Sequence, residues 1–178
     1  MRLVRGLFST ALILGGIFLV GGLLIPSEWT VSRFMKIEAT PQRIYPYISH
    51  FKQWEIWSPW NASKDATLKY TYTGSDKGIG AKQSWTSEKM GSGWMQFTAA
   101  DPKTGVAYDL FIDMHGHQSM LHGKIELKPS EHDTLVIWTD SGNAGKSFVT
   151  WWMSLMIKPM LGRDLETGLK GLKSIIEK

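Results

Sequence analysis

The chain has 178 residues, 43% apolar and 20% charged, which excludes a disordered polymer and suits one globular domain with an appendage. Its net charge of +4 includes Arg2 and Arg5, ahead of an apolar segment, and no Lys/Arg run or stripe points to a nucleic-acid partner. The absence of cysteine excludes disulfides, thiolate metal ligands, a lipid-bearing cysteine and a cysteine nucleophile.

Gly6 to Ser27 carries no charge, and "LFSTALILGGIFLVGGLLI" is long enough to cross a hydrocarbon core of about 30 Å as a helix. A secretory signal has a shorter apolar region that ends at small residues, whereas this stretch runs on to Leu23, Leu24, Ile25 and Pro26 without an A-x-A pattern. Residues 1–27 are therefore expected to form an uncleaved transmembrane anchor, with a cleaved signal or a core helix as alternatives. Arg2 and Arg5 favour a cytoplasmic N-terminus, although Arg33 and Lys36 follow on the other side. The expectation is a single-pass protein of the cytoplasmic membrane, with residues 28–178 on the outer, periplasmic or extracytoplasmic, side.

"WTVSRFMKIEA" alternates Val31, Arg33, Met35 and Ile37 against Thr30, Ser32, Phe34 and Lys36, as a strand does. Thr40 before Pro41 predicts a hydroxyl-capped helix start, with Ile44, Tyr47, Ile48 and Phe51 on its buried face and Pro46 keeping it short or kinked. "KQWEIW" predicts a second short helix that stops at Ser58, because a residue before proline avoids the helical region. Trp54 and Trp57 then share a face and pack under the sheet's edge, while Trp60 turns away after Pro59. Trp57 and Trp60 are also candidates for a cavity entrance, and the nearby anchor makes membrane contact a further alternative.

Strands separated by turns follow: "TLKYTYTG", "AKQSWTSE", "WMQFTAA", "VAYDLFIDM", "MLHGKIELKP" and "TLVIWTDSG". Together they predict an antiparallel meander with one buried face. The C-terminal segment loses the strand period. Leu161, Leu165, Leu169, Leu172 and Ile176 recur at helical spacing opposite charged residues, and Pro159 is expected to break or kink the helix near Ile157–Lys158. A sheet with one apolar face needs a cover, and this helix is the only element long enough to supply it.

The more apolar set on each strand reads as inner: Ala81, Gln83, Trp85; Met95, Phe97, Ala99; Tyr108, Leu110, Ile112, Met114; Leu121, Gly123, Ile125, Leu127; and Val136, Trp138, Asp140. These would meet Met153, Met156, Leu161, Leu165, Leu169 and Leu172 of the helix. Most such positions are ordinary core. Gln83 and Asp140 are polar on an apolar face, and Gly123 leaves room there. A buried carboxylate must be hydrogen-bonded, neutral or wet, and near a strand end Asp140 reads as solvated.

Other chemistry finds little support. His115 and His117 stand at i, i+2 with His122 five residues on, but Gly116 marks a turn and no third ligand falls at metal-site spacing beside the pair. "GSDKGIG" and "GSG" open no helix, so they are not phosphate loops. The serines of "HGHQSM" and "TWWMSLM" lie in no nucleophile elbow. Trp151, Trp152, Met153 and Met156 read as helix packing, a cavity wall or a membrane-facing patch. Tyr70, Tyr72, Tyr108, Gln83 and Asp140 are the only interior acid/base or hydrogen-bonding groups.

"KIEATPQRIYPYISHFKQWEIWSPW", "YTGSDKGIGAKQSW", "GSGWMQF", "VAYDLFI", "LVIWTDSG" and "GRDLETGLKGLK" together resemble the polyketide cyclase/dehydrase-type branch of the START-like (SRPBCC) superfamily, over about residues 36 to 177. The resemblance implies an α+β helix-grip fold, in which a curved antiparallel sheet of about seven strands surrounds a long C-terminal helix and a hydrophobic cavity. It also implies binding of lipids or other apolar molecules, with catalysis only in some relatives. This chain departs from the pattern in its apolar N-terminal span and in Asp140, where relatives look apolar. A shared fold does not by itself decide between binding and catalysis.

The combined expectation is a membrane-anchored protein, anchor 1–27 and domain 28–178, that holds a hydrophobic small molecule or lipid between sheet and helix. Candidate ligand contacts are Trp57, Trp60, Gln83, Trp85, Phe97, Tyr108, Leu110, Ile112, Leu121, Gly123, Trp138, Asp140, Met156, Leu161 and Leu165. No cofactor or metal is expected, and protein partners are left open. The alternatives are a cofactor-free cyclase or dehydratase using Asp140 or a tyrosine as acid/base, and a non-catalytic scaffold acting through protein partners.

Overall fold

The computed structural model describes residues 15–16, 27–114, 116–143, 145 and 148–178, and of 148–155 the backbone only. The expected anchor, apart from Gly15, Gly16 and Ser27, lies outside the described residues, as do His115 and the side chains of Trp151, Trp152 and Met153. No helix among the described residues is long and apolar enough to cross a membrane.

Strand alternation sorts the side chains of β1 (Glu28–Ile37). Trp29, Val31 and Ile37 are buried on one face, and Phe34 stands 72% exposed on the other. Two short helices then carry the chain from one sheet edge to the opposite edge. In α1 (Pro41–Ile48) Pro41 occupies the first turn and Thr40 is extended, as expected, but the Thr40 hydroxyl makes no capping bond. Its carbonyl accepts the N–H groups of Arg43 and Ile44 instead. Helix α2 (Phe51–Trp57) ends where Ser58, ahead of Pro59, turns to extended backbone.

The meander follows as β2 (Lys69–Gly74), β3 (Ala81–Ser87), β4 (Gly91–Asp101), β5 (Gly105–Met114), β6 (His117–Pro129) and β7 (Thr134–Asn143). β1 returns to pair with β7, giving a seven-stranded antiparallel sheet ordered β1-β7-β6-β5-β4-β3-β2. A register shift in β4 between Phe97 and Ala99 changes the expected facing. Ala100, not Ala99, packs on the core, because the extra residue of a bulge reverses the alternation beyond it.

Helix α3 (Phe148–Ile176) is a single helix of 29 residues with Pro159 inside it. Of the expected break or kink, the break is thus corrected. Pro159 lies on the exposed side, where the carbonyl freed by its missing N–H can take water as a donor. Leu165, Leu169, Leu172 and Ile176 are buried on the opposite side. Two glycines set how closely α3 can lie. A Cβ on Gly171 would stand 2.4 Å from the Trp57 carbonyl oxygen, and one on Gly168 would stand 2.6 Å from the Trp138 ring. Helix α3 packs chiefly against β1 and α2, which leaves the central strands to be covered by other means.

Candidate functional site

The inner face of the sheet divides into two halves along one cross-strand row. That row runs Phe97, Tyr108, Gly123, Asp140, Val31 from β4 to β1. On the side towards the β6–β7 turn the interior is filled with rings. Trp138 is fully buried and meets Trp54, Trp57 and Trp60 edge-on at 5.5, 5.3 and 5.8 Å between centroids. Phe51 stacks on Phe97 at 3.9 Å. Leu165, Leu169 and Leu172 close this end from α3.

Towards the β5–β6 hairpin the face is only half covered. Met95, Leu110 and Ile112 are partly buried, as are Trp85 on β3 and Ile157 and Leu161 on α3. Their rows follow directly from the ladder: Gln83, Met95, Leu110, Leu121, then Trp85, Gly93, Ile112. The result is an apolar strip with its end open.

The polar group of the interior sits where these halves meet. Tyr108 Oη donates to Asp140 Oδ1 at 2.6 Å, and Trp138 Nε1 donates to Tyr108 Oη at 2.7 Å. Tyr108 reaches Asp140 from two strands away because Gly123 lies between them. A Cβ on Gly123 would fall 2.0 Å from the tyrosine ring, so the room left by this glycine is filled by Tyr108. Gly93 likewise makes way for the Trp85 ring.

Asp140 is 2% exposed. Its expected solvation is therefore corrected: β7 runs on to Asn143, and the Tyr108 side chain reaches the carboxyl across Gly123. Tyr108 is its only hydrogen-bond partner among the described residues. Burial pushes the Asp140 carboxyl up to about 6, and the Tyr108 hydroxyl opposes that rise. Burial first, then the nearby carboxylate, raise the Tyr108 phenol well above its ordinary value. The arrangement can accept or donate one hydrogen bond at the floor of an apolar strip, and near neutral pH it can exchange a proton.

The predicted site residues separate along this line. Trp57, Phe97, Trp138 and Leu165 belong to the filled end, and Trp57 Nε1 is bonded to the Tyr47 carbonyl at 3.0 Å. Trp60 does not turn away. It folds back onto Trp138, its N–H on Ser58 Oγ, and its carbonyl accepts the Tyr70 hydroxyl at 2.6 Å. Gln83 is buried near Tyr70; burial, ahead of the Glu55 charge, pushes that phenol up to about 12, and Gln83 opposes the rise. Trp85, Leu110, Ile112, Leu121 and Leu161 line or border the half-open strip, with Tyr108, Gly123 and Asp140 at its floor. Met156 is 62% exposed on α3 and lies outside it.

Sequence reasoning did not find Ile157 as a strip residue or Trp29 at its margin. The inner set of β4 contained Met95; the ring of Trp29 lies over Gly142, a contact visible only with the register in hand. His122 bonds Asp109 at 2.7 Å on the outer face, and no group of three metal-ligating side chains exists among the described residues. Two surface clefts, of about 360 and 190 Å³, lie at Ala39–Gln42 with Pro129–Asp133 and around Tyr72–Asp76. Neither is between sheet and α3.

A family model described as "Polyketide cyclase / dehydrase and lipid transport" matches residues 28–177. The chain belongs to this family. Solved structures share its fold at low identity. The protein TTHA0849 from Thermus thermophilus is 14% identical with a TM-score of 0.61, covering 83% of this chain and 97% of that one. The Aha1 dimer from Colwellia psychrerythraea is 16% identical with a TM-score of 0.58, covering 84% and 96%. A protein from Arthrobacter aurescens is 19% identical with a TM-score of 0.56, covering 83% and 86%. No curated protein matches the chain by sequence. The family and these likenesses establish the helix-grip architecture and leave the ligand to be argued from the site.

Proposed function

We propose that this family member is a membrane-anchored binding protein for an apolar small molecule or lipid, seated on the half-open inner face of the sheet. The observation that carries the reading is the boundary row. An apolar strip of Trp85, Met95, Leu110, Ile112 and Leu161 ends on a single buried polar pair, Tyr108–Asp140. Apolar walls with one or two convergent polar groups suit a mostly hydrophobic ligand with one hydroxyl, carbonyl or carboxyl end. The uncharged stretch from Gly6 to Ser27 supports a membrane tether, and Arg2 and Arg5 support placing the domain on the outer side of the cytoplasmic membrane. Native mass spectrometry of the full chain, released from nanodiscs made with a polar lipid extract, should show a retained lipid adduct. Leu110→Trp, which fills the strip, should remove it. An apo mass alone from the unmodified chain would overturn the reading.

A second reading rests on the Asp140 carboxyl. Raised to about 6 and bonded to a phenol, it suits cofactor-free acid/base chemistry on a bound polyketide-like carbonyl compound. Under this reading Asp140→Asn abolishes turnover while the fold and ligand adduct persist. Turnover unchanged by that substitution would remove Asp140 from any mechanism.

A further inference from the structure

The outer face of the sheet carries an apolar row that the ligand site does not use. Trp94 on β4 stands opposite Phe111 on β5, which stands opposite Met120 on β6. The two rings stack at 6.1 Å between centroids, and Met120 is 43% exposed. Met114, at the end of β5 and on the inner face with Leu110 and Ile112, is also 43% exposed, so both faces are apolar at this end of the sheet. Lys82, two residues further from the β3–β4 hairpin along β3, places its ammonium 4.3 Å from the Trp94 ring centre.

The position of this row is what gives it meaning. Leu121 pairs with Gly142, and the adjoining residue on β7, Asn143, pairs with Glu28, the first residue of β1. Met120, Phe111 and Trp94 thus lie level with the point at which the chain enters the sheet. Along β5, Met114 is three residues beyond Phe111, about 10 Å further at roughly 3.4 Å per residue. Only Pro26 and Ser27 separate Ile25, the end of the apolar stretch, from β1. If that stretch spans the bilayer, the β3–β4 and β5–β6 hairpins reach past the level where the chain leaves it. The headgroup layer is about 5–7 Å deep on each side.

We infer that this end of the sheet rests in the lipid headgroup layer, with Trp94, Phe111, Met114 and Met120 as its contact. The inference rests on the anchor reading above. The side-chain chemistry fits an interface, since aromatic rings concentrate at headgroup level. The charges around the contact are mixed, Glu28, Glu88 and Asp113 against Lys82 and Lys89, so the contact is apolar and needs no anionic lipid. The same end holds the open part of the inner strip, next to Trp85 and Ile112. Docking would point the binding site at the bilayer from which an apolar ligand comes.

The chain has no cysteine, so a single introduced thiol labels one place. Met114→Cys and Met120→Cys, with Lys103→Cys in the β4–β5 turn as the remote control, are labelled with a fluorophore in the full chain. Each is reconstituted in phosphatidylcholine vesicles containing nitroxide-headgroup lipid. Flotation reports the anchor, and quenching reports the docking. Both methionine positions should be quenched at least twofold more than Lys103→Cys, with no loss on adding salt. Flotation with equal quenching at all three positions overturns the docking and leaves the anchor standing. Failure to float overturns the anchor reading and the docking with it.

Discussion

At the residue scale, Asp140 and Gly123 make the sharpest predictions. The Asp140 carboxyl moves from an ordinary value of 3.8 to about 6 on folding, because burial penalises its charge. Between those values the folded protein holds a proton that the unfolded chain has lost, so stability falls as pH rises from about 4 through 6. That rise corresponds to about 3 kcal/mol at pH 7. Asp140→Asn should therefore raise the melting temperature at pH 8 and change it little at pH 4, as measured by thermal denaturation across that range. Gly123→Ala should act in the opposite direction at every pH. Its Cβ would meet the Tyr108 ring at 2.0 Å, and displacing that ring breaks the bond to Asp140. A loss of about 1–3 kcal/mol in urea denaturation is expected, the usual cost of overpacking. The polarity of Asp140 on an inner face was legible from alternation alone. Its state was not, because the phenol that shields it comes from β5, across Gly123, and a cross-strand register is not written in either strand.

At the element scale, the tryptophan-rich turn after α2 and the long helix decide how much of the interior is filled. Helical spacing placed Trp54 and Trp57 on one face, and their rings do lie 4.9 Å apart. Trp60 departs from its expected course after Pro59. The side chain of Asn61 bonds the Ser58 carbonyl and Trp60 N–H bonds the Ser58 hydroxyl, folding the chain back so that the third ring joins the other two on Trp138. Such a local reversal depends on side-chain hydrogen bonds that composition does not reveal. Trp138→Ala should cost about 3–5 kcal/mol in urea denaturation, as expected for a large ring removed from a close-packed site. It should also leave Tyr108 Oη without its indole donor. The leucine period of α3 identified its buried face correctly, and Pro159 does not end the helix because an exposed proline is tolerated where water can replace the lost bond. Asp65 went unnoticed because its partners are local and remote at once. It accepts bonds from the Ser87 hydroxyl, from Thr67 and from Lys89 N–H, tying the loop after Trp60 to the β3–β4 hairpin, and these bonds, the Ser87 one foremost, hold its carboxyl well below the ordinary range.

At the scale of the whole molecule, the architecture was legible because strand alternation, turn residues and a terminal amphipathic helix leave few ways to cover one apolar face. What stayed hidden was the division of that face into a filled end and a half-open end, with Tyr108 and Asp140 at the boundary. Ring packing at one end and glycine-permitted overlap at the other arise from contacts between strands distant in sequence. The central claim, an apolar ligand on the half-open strip, is tested most directly by photo-crosslinking the full chain in nanodiscs with a diazirine-bearing fatty acid and mapping the labelled peptides by mass spectrometry. Labels should concentrate on Gly105–Met114 of β5 and on residues 157–161 of α3, and Leu110→Trp should reduce them at least fivefold. Labels confined to the cleft of Pro129–Asp133, or unaffected by Leu110→Trp, would contradict the account.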